Sequence, residues 1–320
     1  MKVAVTRKIP GNGIQMLKDA GYQVWLGEQD APLPREQLLE VISGADGVLT
    51  QLQDKVDEEF IMAAGPQLKI IANYAVGFDN FDISTLSSHN IVATNTPDVL
   101  TEAVAEHAFA LIFAISRRVV EAHKLALTQA SSFGPFVMLG TQLQGKTLGV
   151  LGLGRIGSRV AEIGKAVGMN VIYYDIKQNS EFEAQVGAQF KAMPEDLLKE
   201  ADVVSVHVPL LDSTKHLINA DKLRLMKKSA YLVNTSRGPV VDEVALVEAL
   251  RSGTIKGAGL DVFESEPKLS PGMESLENVV LTPHIASATE EARSAMGELA
   301  VKNIIAVLSN QPPLTPVKKS

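Results

Sequence analysis

Short runs of β-branched and other apolar residues alternate with helix-like stretches along the whole 320-residue chain. Parallel strands joined by crossover helices give this pattern, because such strands are buried on both faces of the sheet. The alternation therefore predicts an α/β fold. Five candidate strands in the first hundred residues suffice for a small doubly wound sheet of flavodoxin-like type. They are Val3–Val5, Gln23–Trp25, Gly47–Leu49, Leu68–Ala72 and Ile91–Ala93.

A second series of strands follows a long apolar helix, predicted over Thr101–Arg118, and an irregular arm at Ser131–Phe136. Its six candidate strands are Thr147–Leu151, Val171–Tyr174, Val203–Val208, Ala230–Val233, Gly257–Val262 and Val279–Leu281. The chain then ends in another long helix, Thr289–Leu308, with no strand behind it. We therefore expect the second sheet to be inserted into the first domain. Residues 1–100 and 287–320 would form one discontinuous domain, and residues 101–286 the other.

Composition excludes several classes of protein. The net charge is −7 with Lys and Arg scattered along the chain, so the basic stripe of a nucleic-acid or membrane-surface protein is missing. The chain has no cysteine, which excludes disulfides and thiolate chemistry. The longest apolar run, Ala108–Ile115, is far shorter than the roughly 18 residues of a membrane span. Met1–Val5 shows no signal-peptide pattern, which favours the cytoplasm.

The glycine-rich stretch "GVLGLGRIGS" (149–158) lies between a candidate strand and a helix predicted over Ser158–Val167. In a dinucleotide-binding turn, Gly152 would allow the tight turn, Gly154 the approach of a pyrophosphate, and Gly157 close packing of helix and strand. The anion would be held at the helix N-terminus, where Arg155 and Ile156 supply backbone N–H groups.

Asp175 ends the candidate strand that follows this helix, 18 positions after Gly157. A carboxylate at this point accepts hydrogen bonds from the ribose hydroxyls of an adenosine and repels a 2′-phosphate. The sequence therefore predicts NAD as the cofactor in preference to NADP. Lys177 follows two residues later and would offset part of that repulsion.

Polar residues that could carry chemistry follow the last three candidate strands. Arg237, Glu266 and His284 come after consecutive strands, whose carboxyl ends would face one crevice. Arginine suits a carboxylate, and histidine delivers a proton near neutral pH. A glutamate beside the histidine would fix its tautomer and favour its acid form. These are the groups needed to reduce the carbonyl of a 2-oxo acid with a hydride.

The chain resembles the D-isomer-specific 2-hydroxyacid dehydrogenases over nearly its whole length. The stretches that carry the resemblance are "NYAVGFDNFD" (73–82), "GKTLGVLGLGRIG" (145–157), "VNTSRGPVVDEVAL" (233–246), "GLDVFESEP" (259–267) and "LTPHIASAT" (281–289). The resemblance implies a Rossmann NAD-binding domain inserted into a substrate domain. It also implies that Arg237 binds the substrate carboxylate and carbonyl, that Glu266 supports His284, and that His284 is the acid-base.

The resemblance further implies roles for residues outside this triad. Backbone N–H groups of Val76 and Gly77 would bind the substrate carboxylate, with Leu52 nearby. The cofactor would be contacted by a larger set of residues on the inserted domain, His284 among them. The others are Thr101, Val208, Pro209, Thr214, Thr235, Ser236, Arg237, Asp261 and Ala286. Without the resemblance, Thr101 and Thr214 would be interpreted as caps, Pro209 as a strand end and Asp261 as a turn carboxylate.

Within the family, "FGPFVMLGTQLQGKTLGVLG" (133–152) and "PHIASATEEARSAM" (283–296) resemble the glyoxylate and hydroxypyruvate reductase branch, which commonly has glycine at the position of Ala286. That branch also commonly carries a Trp near Phe133 or Phe136, whereas this chain's only Trp is Trp25. D-3-phosphoglycerate and D-lactate-type dehydrogenases stay open, and so does a non-enzymatic, NAD-sensing protein like the corepressors built on this frame. The resemblance implies a homodimer formed through the inserted domain and its 120–145 arm. We also expect the two domains to close by bending at their connecting helices.

The other histidines have simpler interpretations. His107 is expected to be packed or to lie at a subunit contact, and His207 to be a satisfied strand residue. His89, His123 and His216 suit surface positions. No pair of histidines has metal-ligand spacing with a third donor, so no metal site is predicted.

Overall fold

The computed structural model describes residues 1–128 and 134–317, so residues 129–133 of the predicted arm, including Phe133, lie outside the described residues. The chain divides into two compact units. The first unit comprises Met1–Leu100 and Ala288–Ser320, and the second comprises Thr101–Ser287. In the part of the chain that the structure describes, no helix is long and apolar enough to cross a membrane.

The first unit contains a five-stranded parallel sheet in the order β2-β1-β3-β4-β5. This is the flavodoxin-like order that the sequence predicted. Its strands are β1 (Lys2–Val5), β2 (Gln23–Leu26), β3 (Gly47–Thr50), β4 (Ile70–Asn73) and β5 (Val92–Thr94). Its helices are α1 (Gly13–Asp19), α2 (Arg35–Ile42), α3 (Glu58–Ala64), α4 (Ile83–Ser88) and the C-terminal α12 (Glu290–Leu308).

The C-terminal helix α12 completes the core of this unit, as its position after the last strand predicts. Thr289 caps it by accepting a hydrogen bond from the N–H of Ala292, and Glu290 and Glu291 complement the positive end of the helix dipole. The helix packs on β3 and β4, whose eight residues are all buried. The apolar face of a parallel sheet must be covered by helices, and α12 covers this face because the chain returns to the first unit.

The second unit contains a seven-stranded parallel sheet in the order β12-β11-β10-β9-β6-β7-β8. Its strands are β6 (Thr147–Leu151), β7 (Asn170–Tyr174), β8 (Gln189–Phe190), β9 (Val203–Val206), β10 (Tyr231–Asn234), β11 (Gly257–Leu260) and β12 (Val279–Leu281). Its helices are α5 (Thr101–Ser116), α6 (Val119–Leu127), α7 (Arg155–Ala166), α8 (Ser180–Val186), α9 (Pro194–Glu200), α10 (Ala220–Leu225) and α11 (Glu243–Arg251). All six predicted strands form, and together with a seventh, β8, they give the Rossmann order extended by one strand at β12. The seventh, β8, was not predicted because two residues carry no periodicity.

Some predicted boundaries were wrong. The helix predicted to reach Arg118 ends at Ser116, because Arg118 adopts a left-handed conformation with φ of 55°. The guanidinium of Arg118 pairs with Glu121 on the next helix, α6. The sequence did not predict this helix. The strand predicted to reach Val208 ends at Val206, and Pro209 has no N–H to extend the ladder.

Candidate active site

The glycine turn between β6 and α7 has the backbone that an anion site requires. Gly152 has φ of 93°, and a Cβ on it would lie 2.9 Å from the carbonyl group of His207. A Cβ on Gly157 would lie 1.9 Å from the carbonyl oxygen of Gly152. A Cβ on Gly154, in contrast, would meet nothing within 4 Å. Gly152 and Gly157 are thus required by packing, whereas Gly154 leaves a space that a side chain would fill.

The helix after this turn begins at Arg155, three residues earlier than the sequence predicted. The N–H groups of Arg155, Ile156 and Gly157 therefore lie in its first turn, where backbone donors have no acceptor within the helix. Backbone N–H donors at a helix N-terminus and the positive end of the helix dipole together bind anions such as a pyrophosphate. The open space at Gly154, the N-cap residue, lies at this same helix end.

The carboxylate of Asp175 lies beside the glycine turn. One oxygen accepts a hydrogen bond from the N–H of Leu153 at 2.6 Å, and the other accepts from the N–H of Ile176 at 2.7 Å. The side chain is half-buried, so it can also face a ligand. Thr235, after β10, has a buried hydroxyl with no partner among the described residues. A buried orphan of this kind is satisfied when a ligand supplies the missing hydrogen bond. The residues present therefore fit a dinucleotide.

The remaining predicted cofactor contacts belong to the second unit but are not tested by its geometry. Thr101 begins α5, and Val208 and Pro209 follow β9. The hydroxyl of Thr214 closes a local turn by donating to the carbonyl of Pro209 at 2.6 Å. Their contacts to a dinucleotide stay predictions.

The segment after β10 presents Arg237. Asn234, the last residue of β10, is buried and shapes this segment with its side-chain amide. Its oxygen accepts hydrogen bonds from the N–H and hydroxyl of Ser236, and its nitrogen donates to the carbonyl of Arg237 at 2.9 Å. The Arg237 guanidinium donates to the carbonyl of Ser236 at 2.8 Å and is half-buried. Asn234 was not predicted to be part of the site, although an asparagine at a strand end is a known signal for a turn closed by its side chain.

Glu266 and His284 meet as predicted, although 18 residues separate them in the sequence. The Nδ1 atom of His284 lies 2.8 Å from Oε2 of Glu266, while Oε1 accepts a hydrogen bond from the N–H of Phe263. An ionised carboxylate only accepts, so the proton of this contact resides on Nδ1. Among the described residues of the second unit, none hydrogen-bonds Nε2 of His284. The ring is therefore oriented with Nδ1 towards Glu266 and Nε2 on the other side.

Asp261 holds the segment that carries His284. This carboxylate is fully buried, and it accepts hydrogen bonds from the N–H groups of Ile285 and Ala286 and from the hydroxyl of Thr282. Burial by itself raises the pKa of Asp261. Hydrogen bonds from the surrounding groups, His107 first among them, outweigh burial and lower the pKa below its ordinary value. Asp261 is therefore a buried anion.

The backbone of His284 is held in the left-handed region, with φ of 55°. A histidine in this region is strained and persists only where the surroundings fix it. The N–H of His284 donates to the carbonyl of Asp261 at 2.8 Å, next to the carboxylate contacts. Asp261, predicted as a cofactor contact, thus also fixes the backbone of the segment that carries His284.

Two further residues support this site and were missed by the sequence analysis. Nε2 of His107, on α5, lies 3.0 Å from the hydroxyl of Thr282 and 3.3 Å from Asp261. Glu243 is buried at the start of α11, and its carboxylate accepts hydrogen bonds from the N–H of Glu264 at 2.6 Å and the hydroxyl of Ser270 at 2.7 Å. It thereby anchors both ends of the loop that carries Glu266. No local sequence signal identifies such contacts, because each joins residues 20 or more positions apart.

In the first unit, Leu52 and the pair Val76 and Gly77 lie in the loops after β3 and β4. The carbonyl of Ala75 accepts a hydrogen bond from the N–H of Thr96, and the carbonyl of Val76 accepts one from Asn95 Nδ2 at 2.7 Å. In a planar trans peptide the N–H points opposite to the carbonyl of the same unit. The N–H groups of Val76 and Gly77 are therefore turned away from Thr96 and Asn95.

The other histidines have local partners or lie at the surface. His207, after β9, bonds the hydroxyl of Ser205 at 2.7 Å, and burial lowers the pKa of His207 to about 3. His89 bonds Glu58 and His216 bonds Glu264, while His123 is exposed. Within residues 1–128 and 134–317, no three His, Asp or Glu side chains are grouped in a way that could hold a metal ion.

Comparison with known proteins identifies the family of this chain. Residues 109–286 match the family model "D-isomer specific 2-hydroxyacid dehydrogenase, NAD binding domain". Glyoxylate reductase from Pyrococcus furiosus is 46% identical, with 99% of this chain and 95% of that protein covered. The TT0316 protein from Thermus thermophilus superimposes with a TM-score of 0.93 at 43% identity, covering 99% of this chain and all of that one.

A further relative was solved with ligands. The NADPH-dependent glyoxylate/hydroxypyruvate reductase from Sinorhizobium meliloti, in complex with NADP and malonate, has a TM-score of 0.86 at 34% identity. The similarity covers 99% of this chain and 96% of that one. The family match, a full-length relative at 46% identity and the shared two-sheet architecture agree with one another. The chain belongs to the D-isomer-specific 2-hydroxyacid dehydrogenase family and is an oxidoreductase with an NAD-binding domain.

Proposed function

We propose that this enzyme reduces a small 2-oxo acid, glyoxylate or hydroxypyruvate, to the corresponding 2-hydroxy acid with a reduced nicotinamide dinucleotide. The observation that carries the proposal is the contact between His284 Nδ1 and Glu266 Oε2 at 2.8 Å. The named substrates of the Pyrococcus furiosus and Sinorhizobium meliloti relatives support the choice of oxo acid.

The groups that take part in the reaction have distinct roles. The nicotinamide supplies a hydride to C2 of the oxo acid. Arg237 pairs with the substrate carboxylate and polarises the carbonyl, and the N–H groups of Val76 and Gly77 donate to the same carboxylate. Protonated His284 delivers the Nε2 proton to the oxygen that becomes the hydroxyl, while Glu266 stabilises the imidazolium before the transfer. Leu52 is assigned to the substrate's surroundings.

The two units have different roles in this reaction. Residues 101–286 bind the dinucleotide and supply Arg237, whereas residues 1–100 with 287–320 supply the backbone N–H donors to the substrate carboxylate. The glycine turn would hold the pyrophosphate, and Thr101, Val208, Pro209, Thr214, Thr235, Ser236, Asp261 and Ala286 are assigned to the rest of the dinucleotide. A cytoplasmic location stays a prediction of the sequence.

We also propose NADH as the preferred cofactor over NADPH. The carboxylate of Asp175 lies beside the glycine turn, and a 2′-phosphate there would meet its negative charge. Lys177 is exposed two residues away, so it is free to stay in solvent. The Sinorhizobium meliloti relative is NADPH-dependent, so the preference must be measured on this chain.

The decisive experiment follows oxidation of NADH and NADPH with glyoxylate, hydroxypyruvate, pyruvate and 2-oxoisocaproate as substrates. We expect turnover with glyoxylate or hydroxypyruvate, a preference for NADH, and loss of turnover in His284→Gln. His89→Gln is the matched control, because His89 also pairs with a glutamate but lies at the surface of the first unit. Binding of NADH without turnover of any 2-oxo acid would contradict the proposal and favour a nucleotide-sensing protein.

A homodimer formed by the second unit is proposed as the working assembly. No residue of α6 is buried, although most of its residues are apolar. Exposed apolar side chains occur near the end of α5, in α6 and in residues 136–139: Phe113, Val119, Val120, Leu127, Phe136, Val137 and Leu139. Apolar surface of this extent marks an interaction site, and a second copy is the partner that the family resemblance implies. Light scattering should give twice the chain mass for the wild type and a monomer for Leu127→Glu; a monomeric wild type would refute the dimer.

A further inference from the structure

Two loops of the first unit leave neighbouring strands at the same edge of the sheet. Thr50 ends β3 and Asn73 ends β4, and these two residues are paired in the register of the sheet. The loop after β3 carries Leu52, and the loop after β4 carries Val76 and Gly77. Both loops must keep a fixed relation if Leu52 and the two backbone N–H groups are to face one substrate.

Asn73 joins its strand to the loop that follows. Its side chain is fully buried, and Nδ2 donates to the carbonyl of Gly77 at 2.8 Å and to Oδ1 of Asn80 at 3.0 Å. Its Oδ1 accepts a hydrogen bond from the hydroxyl of Thr50 at 3.2 Å. Because the Gly77 carbonyl points towards Asn73, the N–H of Phe78 in the same peptide unit points away from it. Asn73 thus sets the third peptide plane of the Val76–Phe78 segment.

Asn80 joins this loop to the loop after β3. Its Nδ2 donates to the carbonyl of Asp54 at 3.0 Å and to the carbonyl of Gln51 at 3.2 Å, the two ends of the turn that contains Leu52. Its Oδ1 accepts the hydrogen bond from Asn73 described above. One side-chain amide therefore bonds both loops.

The turn after β3 is also closed from its other side. The carboxylate of Asp54 is buried, and its Oδ2 accepts hydrogen bonds from the hydroxyl of Thr6 at 2.6 Å and the N–H of Gln51 at 2.9 Å. These contacts hold the turn against β1, but they do not reach the loop after β4. Backbone hydrogen bonds join the two loops further along, where the N–H of Val56 donates to the carbonyl of Asn80 and the N–H of Asp82 donates to the carbonyl of Val56. The side chain of Asn80 connects the turn itself, residues 51–54, to the loop after β4.

We propose that Asn80, supported by Asn73, is a positioning residue for the substrate carboxylate. It touches neither substrate nor cofactor in this role; it keeps the turn at Leu52 and the N–H groups of Val76 and Gly77 in one arrangement. The inference rests on the proposed function, which assigns these loops to the substrate. Without the side-chain amide the backbone contacts at Val56 still join the loops, but the turn at residues 51–54 loses its direct hold on the loop after β4. The two segments are then less well preorganised for the carboxylate.

The test compares Asn80→Ala with wild type in hydrogen–deuterium exchange and in steady-state kinetics. We expect faster exchange in both segments, 51–54 and 74–80, because both lose a fixed partner. We expect the KM for glyoxylate to rise about tenfold, a modest part of the roughly hundredfold cost of a 1 Å misplacement. We expect kcat to fall less, and the Kd of NADH to stay unchanged, since the glycine turn belongs to the second unit. Asn80→Ser keeps one short donor and should give intermediate values; it also replaces Asn80→Ala if that variant does not fold.

Asn278→Ala is the matched control. Asn278 is also half-buried, and its Nδ2 also donates to two main-chain carbonyls, those of Leu250 and Lys256, but it precedes β12 at the opposite end of that strand from His284. It should lose stability without a change in KM. Unchanged exchange in either segment of the Asn80 variants would overturn the bridge, and an unchanged KM with faster exchange would overturn its role in substrate binding. If the wild type reduces no 2-oxo acid, the proposed function fails, and the exchange result alone decides whether Asn80 joins the loops.

Discussion

Replacing Gly238 with alanine should damage catalysis through the backbone alone. Gly238 follows Arg237, and a Cβ on it would lie 1.9 Å from both the carbonyl carbon and the carbonyl oxygen of Phe263, and 2.4 Å from the nitrogen of Glu264. Carbon atoms pack at about 3.5 Å or more, so one segment must move by about 1.6 Å. All three atoms are backbone, so no side chain can rotate aside to relieve the overlap.

Either direction of movement displaces a group that we place in the reaction. If the segment after β10 moves, Arg237 moves with it. If the segment after β11 moves, the N–H of Phe263 leaves the carboxylate of Glu266, which orients His284. A misplacement of about 1 Å in a catalytic constellation costs about 100-fold in rate. We therefore expect kcat/KM for glyoxylate to fall about 100-fold in Gly238→Ala.

The assay is steady-state oxidation of NADH with glyoxylate, with circular dichroism to show that the variant is folded. Gly253→Ala is the control: Gly253 has φ of 68° and open space around its Cβ position, so it should lose about 1 kcal/mol of stability and no activity. A folded Gly238→Ala enzyme with wild-type kcat/KM would refute the reasoning, because it would show that the overlap relaxes without moving Arg237 or Glu266.

Three further substitutions test other parts of the site. Asp261→Asn should cost about 3 kcal/mol of unfolding free energy at pH 7, because it removes a buried anion from its donors. The folded-state pKa of Asp261 is lowered, so the stability that its carboxylate contributes is present above the unfolded-state pKa of about 3.9 and is lost as the pH falls through the folded-state pKa. Urea unfolding from pH 7 to pH 2 should therefore show the unfolding free energies of wild type and variant converging in acid. Parallel curves would contradict this. Gly157→Ala should abolish NADH binding in a fluorescence titration, because its Cβ would overlap the Gly152 carbonyl at 1.9 Å; tight binding would show that the turn adapts. Asp175→Ser should shift the ratio of kcat/KM for NADH over NADPH towards NADPH, and an unchanged ratio would remove Asp175 from cofactor choice.

Features that depend on neighbouring residues were predicted well. The glycine turn, the strand that leads to Asp175 and the existence of α12 follow from backbone geometry, side-chain size and apolar pattern within a few residues. Errors occurred where a single backbone conformation decides the outcome. Arg118 in the left-handed region ends α5 two residues early, and nothing in the apolar pattern of that helix signals this.

The three candidate catalytic residues could be grouped from the sequence because parallel strands share an edge. Arg237, Glu266 and His284 each follow one of three strands that are consecutive in the sequence and adjacent in the sheet, so counting strands was sufficient to group them. Their supports were not found in this way. His107 reaches Asp261 from a helix 154 positions earlier, and Glu243 reaches Ser270 across a loop.

The sequence by itself thus determined the fold class, the two series of strands and the glycine turn, because periodicity and glycine spacing encode these locally. It also singled out candidate reacting side chains at the ends of strands. Only the tertiary structure decided how those side chains are held: the carboxylate of Asp261 under the His284 segment, and the amide of Asn80 between two loops. Each such hydrogen bond needs its partners within about 3 Å and in the correct direction. That condition depends on strand register and loop packing between distant parts of the chain, which no local pattern specifies.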